Sequence, residues 1–215
     1  LKPGAGALGE SPLLSSRRGY MPVKESRKAL AGKTYSVSLP APAGIGPADI
    51  RDHAILMLLA VYGLRRGEVA GLRLDDLDWE GELIHIARPK QRRAQRYPLL
   101  PAIGEAILRY LRVVRPRCGD RALFLTLGAP IRPLSAPSIT PVAHAHLSRL
   151  GLTLSPRGAH CLRHACASHL LASGFSLKQI GDHLGHRSAN STLSYTKVDL
   201  TGLRQVAELD LGELL

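Results

Sequence analysis

The stretch 54–61 constrains the fold more than any other part of the chain, because Ile55, Leu56, Leu58, Leu59 and Val61 fall so densely that a helix here has few polar faces. A helix that is apolar nearly all round cannot lie on a surface and must be packed by neighbours on several sides. It is also too short to cross a bilayer, which takes about 20 apolar residues. No charged-then-apolar signal segment opens the chain. The expectation is a soluble, non-exported helical bundle assembled around this helix, with Gly63 ending it. A chain of 215 residues suffices for one domain with a core and would be cramped for two.

The flanking segments divide by composition. Residues 1–47 are rich in Gly, Pro, Ser and Ala, carry basic patches such as Arg17-Arg18 and show little periodicity, so they read as a flexible basic linker or arm. Residue 1 is Leu and not Met, which suggests a fragment or processed form. Residues 48–200 form the domain and 201–215 a tail. A short helix is expected over 67–72 and a strand over 83–86. Residues 97–100 would supply the returning strand, leaving 90–96 as the tip of a hairpin loop. Helices are expected over 101–114, 138–150, 157–173, 176–184 and 188–198, separated by Gly and Pro stops. The fold class is therefore mainly α with a small antiparallel β-sheet (α+β).

Charge narrows the partner. Lys and Arg number 29 against 17 Asp and Glu, giving a net charge of +12 and a pI near 10.2. Such an excess favours a polyanion, nucleic acid first. The three cysteines, Cys118, Cys161 and Cys166, are odd in number and lack framework spacing. They read as small buried residues in a reducing cytoplasm.

Residue types able to do chemistry concentrate in two places. One is Gly63-Leu64-Arg65-Arg66-Gly67-Glu68; the other is His160-Cys161-Leu162-Arg163-His164, with Leu184-Gly185-His186 and Tyr195 downstream. Arg65 follows the buried helix, so its stem is anchored while its guanidinium can turn outward, and Glu68 three residues on can orient it. His160 and Arg163 lie one helical turn apart and can face one pocket. Each residue alone has a plainer explanation: an ion pair at a helix start, a packing tyrosine, a capping histidine, a solvated loop lysine.

Taken in order, Gly-Leu-Arg65-x-x-Glu68, the hairpin Lys90, His160-x-x-Arg163-His164, Leu-Gly-His186 and Tyr195 resemble the signature of tyrosine recombinases of the phage-integrase and Xer type, over roughly residues 51–207. The resemblance implies that Arg65 and Arg163 grip a scissile phosphate, whose non-bridging oxygens suit planar, permanently charged guanidinium groups. It implies Tyr195 as nucleophile, His160 as proton acceptor, His186 as a further donor to the phosphate, and Lys90 as the acid that protonates the departing 5′-oxygen. Glu68 and His164 would orient these groups. The product would be a 3′-phosphotyrosyl link, made without metal, ATP or other cofactor. The implied partner is double-stranded DNA, with Arg92, Arg93 and Arg96 joining Lys90 against its backbone. The implied assembly is a homotetramer on two duplexes, weakly associated or monomeric without DNA and joined through the tail. Family members usually carry an N-terminal helical domain as well, which residues 1–47 are too short to supply.

Two other readings use the same residues. His160, Cys161, His164, Cys166 and His169 crowd one stretch, and His160 with His164 has the four-residue spacing of zinc ligands, although Cys161 points elsewhere on the helix. The segment 176–188 also reads as a helix, a Gly turn and a second helix, as in a DNA-binding module without catalysis. That reading gives Arg65, Lys90 and Tyr195 no task.

Overall fold

The computed structural model describes residues 46–88, 93–149 and 158–186. The apolar stretch becomes the second half of helix α1 (Pro47–Val61), in which Ala54 to Leu59 are all buried. Pro47 suits the first turn, where its missing N–H would have had no helical partner. The Asp49 carboxylate accepts the Gly46 N–H at 3.1 Å. The helix stops because Gly63 takes a left-handed φ of 61°. A Cβ there would come within 2.6 Å of Leu184 and 3.2 Å of Cys166, so the chain passes close under a later helix.

After the short helix α2 (Arg66–Ala70), three antiparallel strands form a meander in the order β1 (Leu77–Asp78), β2 (Leu83–Arg88), β3 (Arg93–Pro98). Helix α3 (Pro101–Arg109) widens into a π-type turn over Tyr110–Val114. Then follow α4 (Ala136–Arg149), α5 (Ala159–Ala172) and α6 (Leu177–Leu184). Helix α1 contacts α3, α4 and α5, which explains why its middle is apolar on every side. Tyr62 fastens its end to the sheet: the buried hydroxyl donates to Pro98 O at 2.6 Å and accepts the Leu100 N–H at 3.2 Å.

The mainly α architecture with one small antiparallel sheet is as expected, with two corrections. The ladder pairs Ile84 with Tyr97 and runs on to Arg88 with Arg93, so β3 occupies 93–98 and not 97–100. Its polar sequence hides it, because backbone pairing with β2 and one inward tyrosine suffice to make it a strand. Cys118 is exposed, unlike buried Cys161 and Cys166, since it lies in the turn beyond the Tyr110–Val114 segment. No described helix is long and apolar enough to cross a membrane. The arm, the tail and the helix expected over 188–198 lie outside the described residues.

Candidate active site

The break between α1 and α2 presents the first arginine. Arg65 has extended backbone angles, and its N–H donates to Glu68 Oε2 at 2.9 Å, which closes the first turn of α2. The same carboxylate holds the side chain: Arg65 Nη1 donates to Glu68 Oε1 at 2.9 Å. Arg65 Nη2 then reaches 120 residues along the chain to the Gly185 carbonyl, at 3.2 Å. Its side chain stays 45% exposed, while that of Glu68 is nearly buried.

Helix α5 supplies the second arginine. Arg163 is buried, donating through Nη1 to Gly63 O and through Nη2 to Leu184 O at 2.7 Å. Arg65 and Arg163 therefore end on successive carbonyls of one turn, the turn that carries His186. This turn is the C-terminus of α6, closed by bonds from His186 N to Gly181 O (2.8 Å) and from Gly185 N to Asp182 O (3.2 Å), with Gly185 left-handed at φ 64°. Carbonyls at a helix C-terminus carry partial negative charge and attract cations. The sheet holds the turn from the other side: Gln95 Nε2 donates to Asp182 O and His183 O at 3.1 and 3.0 Å, and the Tyr97 hydroxyl donates to His183 O.

The histidines complete the pocket. Exposed His160 and buried His164 stand one turn apart on α5 with rings perpendicular and Nε2 atoms 2.8 Å apart, so one ring donates and the other accepts. Burial, then the neighbouring His160 and Arg163, pushes His164 down to about 4. Burial and Arg163 lower His160 as well. His186, half-buried, is pushed down to about 4 by burial and then by Arg163, Arg65, Arg88 and His164. At neutral pH the imidazoles are uncharged, and the site's positive charge comes from its arginines. An anion such as a phosphate diester is what this arrangement would hold.

Six of the expected residues thus share one site: Arg65, Glu68, His160, Arg163, His164 and His186. Lys90, Arg92 and Tyr195 lie outside the described residues. Arg93 and Arg96 belong to β3 and not to the loop tip, and Arg96 is exposed opposite His85. Among the described residues no group of three His, Cys, Asp or Glu side chains converges as a metal site. His160 and His164 bond to each other, and the Cys166 thiol donates to Val61 O at 3.4 Å.

Sequence reasoning missed Arg88. It continues the inward face of β2 after Ile84 and Ile86, is buried, pairs with Glu68 Oε1 at 3.1 Å and donates to the Tyr97 hydroxyl at 2.9 Å. The signal available was a cation placed where the period-2 alternation calls for an apolar residue.

Comparison with known proteins follows the same lines. Residues 35–201 match the pattern described as the Phage integrase family. The chain belongs to that family. A protein of Sinorhizobium fredii named as an integrase/recombinase, y4gC, is 43% identical over 166 residues, covering 77% of this chain and 85% of that protein. Tyrosine recombinase XerC of Rhodospirillum centenum is 38% identical over 200 residues, covering 91% of this chain and 57% of its own length. In three dimensions the chain resembles the XerH site-specific recombinase bound to palindromic difH substrate in a post-cleavage complex. The TM-score is 0.61 at 21% identity, covering 87% of this chain and 51% of that one. The chain thus spans most of y4gC but little more than half of XerC and XerH, and the fold it shares with XerH is that of tyrosine recombinase catalytic domains.

Proposed function

We propose that this chain is the strand-cleaving and strand-joining domain of a site-specific recombinase acting on double-stranded DNA. The observation that carries the reading is the meeting of Arg65 and Arg163, from separate helical elements, on consecutive carbonyls of the turn before His186. Two fixed guanidinium groups beside a neutral imidazole donor make a receptor for one phosphodiester.

In this reading Tyr195 attacks the phosphorus, forming the phosphotyrosyl bond as the bond to the 5′-oxygen breaks. A phenol has an ordinary pKa of about 10, so its proton must be taken up as the new bond forms. The His160 and His164 pair, uncharged at neutral pH, supplies the acceptor. Lys90 gives a proton to the departing 5′-oxygen. Arg65, Arg163 and His186 hold the non-bridging oxygens as charge builds. The energy of the broken linkage stays in the 3′-phosphotyrosyl bond, so a 5′-hydroxyl from another strand reverses the step without ATP or metal. Arg92, Arg93 and Arg96 contact backbone phosphates and set register. Residues 1–47 act as an arm, 48–200 as the catalytic domain, and 201–215 as a tail that joins subunits of a tetramer on two duplexes.

The test is to incubate the protein with supercoiled plasmid, stop with detergent and look for protein covalently attached to DNA. The adduct should form with wild type and vanish in Tyr195→Phe, which keeps the ring and removes the nucleophile. Salt-sensitive binding with no adduct would instead favour a DNA-binding domain that does not cut.

A further inference from the structure

The site contains a cation with no part in the chemistry just described. Arg88 is 3% exposed at its side chain, too deep to meet DNA, yet its ion pair, its hydrogen bond and its closest packing go to groups that hold the site together. Its Nε shares Glu68 Oε1 with Arg65 Nη1, at 3.1 and 2.9 Å. Its Nη2 donates to the Tyr97 hydroxyl, which in turn donates to His183 O in the last turn of α6. Its guanidinium also packs under Gly185 so closely that a Cβ there would lie 1.3 Å from Nη1. The strand that carries Arg88 ends at that residue, two positions before Lys90 in the sequence.

A purely structural role fits this environment poorly. Arg88 has one ion pair and one hydrogen bond, and its Nη1 has no hydrogen-bond partner among the described residues, whereas burying an ion is costly unless its pairing is complete. A hydrophobic side chain on the inward face of β2 would suit the fold better.

We infer that Arg88 is a positioning residue: it fixes Arg65 through their shared Glu68 carboxylate and sets the height of the Gly185-His186 turn by packing beneath it. Arg88 thereby ties three parts of the site, the Arg65 corner, the His186 turn and the end of β2, into one unit. Lysine should not substitute, because a single ammonium cannot reach Glu68 and Tyr97 through two separate nitrogens as the guanidinium does.

This inference rests on the recombinase reading for its activity test and carries a second test that does not. In the first, covalent adduct formation on plasmid is timed for wild type, Arg88→Met, Arg65→Ala and the double variant. Arg88→Met should slow the reaction by about a hundredfold, the scale of a small misplacement of a reacting group. In the Arg65→Ala background the same change should cost only about tenfold, because the route through Glu68 is gone and the route through the His186 turn remains. Equal losses in both backgrounds would overturn the inference. Tyr97→Phe, which keeps the buried ring and removes the hydroxyl's bonds to Arg88 and to His183 O, should slow adduct formation by about fivefold, and by less when Arg65 is absent. That variant decides the matter should Arg88→Met not fold.

The second test reads the Arg65 guanidinium directly by nitrogen-15 NMR of the DNA-free protein, assigned with Arg65→Lys. Held by Glu68 and Gly185 O, its Nη protons should be resolved in wild type. They should merge through free rotation in Arg88→Met while the backbone amide spectrum is retained. Unchanged Arg65 signals in a folded Arg88→Met protein would overturn the inference whether or not wild type cleaves DNA. Absence of adduct from wild type, with the Arg65 signals merging as described, would overturn the recombinase reading and leave the positioning role standing.

Discussion

Arg65 and Arg163 reach the same turn from opposite sides but are held in different ways, and the difference separates what each can contribute. Arg65 is nearly half exposed and is steered by a carboxylate from its own short helix. Arg163 is 4% exposed and bonds to two backbone carbonyls, Gly63 O and Leu184 O, which belong to the ends of α1 and α6. The first arginine is presented to a ligand by the fold; the second is also part of what closes the fold. In the proposed reading, the gripping of a phosphate is thus built from one exposed corner and one structural corner.

The sharpest way to break this comparison is at Arg163. Arg163→Met should abolish adduct formation and also destabilise the protein, because two buried carbonyls lose their donors at about 1–3 kcal/mol each. Thermal unfolding and adduct yield measured together check it, and an unchanged melting temperature would erase the distinction. Arg65→Ala should lower the adduct rate by about 10²–10³, the cost of losing one donor to a developing oxyanion. Its stability should stay within about 1 kcal/mol of wild type, as for other exposed ion pairs, and denaturant titration reads that half.

Gly185→Ala sharpens the comparison from the turn that both arginines share. The left-handed backbone at φ 64° and the overlap with Arg88 Nη1 should cost about 1–3 kcal/mol, together with a partial loss of cleavage, because both corners lose their common anchor. Chemical denaturation beside adduct timing would show it.

The site's histidines add a response to pH. His164 and His186 are held down to about 4 in the folded protein, whereas an unfolded histidine titrates near 6.5. Between those values the unfolded chain binds more protons, so stability is full above about pH 6.5 and falls as pH drops toward 4. Urea midpoints across that window should decline on acidification. In a His164→Gln, His186→Gln protein the decline should be shallower.

How much of this was legible in the sequence depended on the kind of signal. The buried helix was visible because density of apolar residues survives any register, and the site residues because the order and spacing of Arg65, Glu68, His160, Arg163, His164 and His186 match a family signature. The returning strand was expected over 97–100 but its first part was not visible, since Arg93, Gln95 and Arg96 look like loop residues until β2 supplies their backbone partners. Arg88 was hidden for a related reason: its environment is made by Glu68, Tyr97 and Gly185, which only folding brings together. The roles expected of Lys90, Arg92 and Tyr195 fall outside the described residues, and there experiment must stand in for geometry.

The measurement that tests the central claim most directly is chemical. Protein incubated with plasmid DNA, stopped with detergent, and digested with nuclease and protease should yield a peptide in which Tyr195 carries a nucleotide joined through its 3′-phosphate, identified by mass spectrometry. A nucleotide on another residue, a 5′ linkage, or no modified peptide from a protein that binds DNA would contradict it.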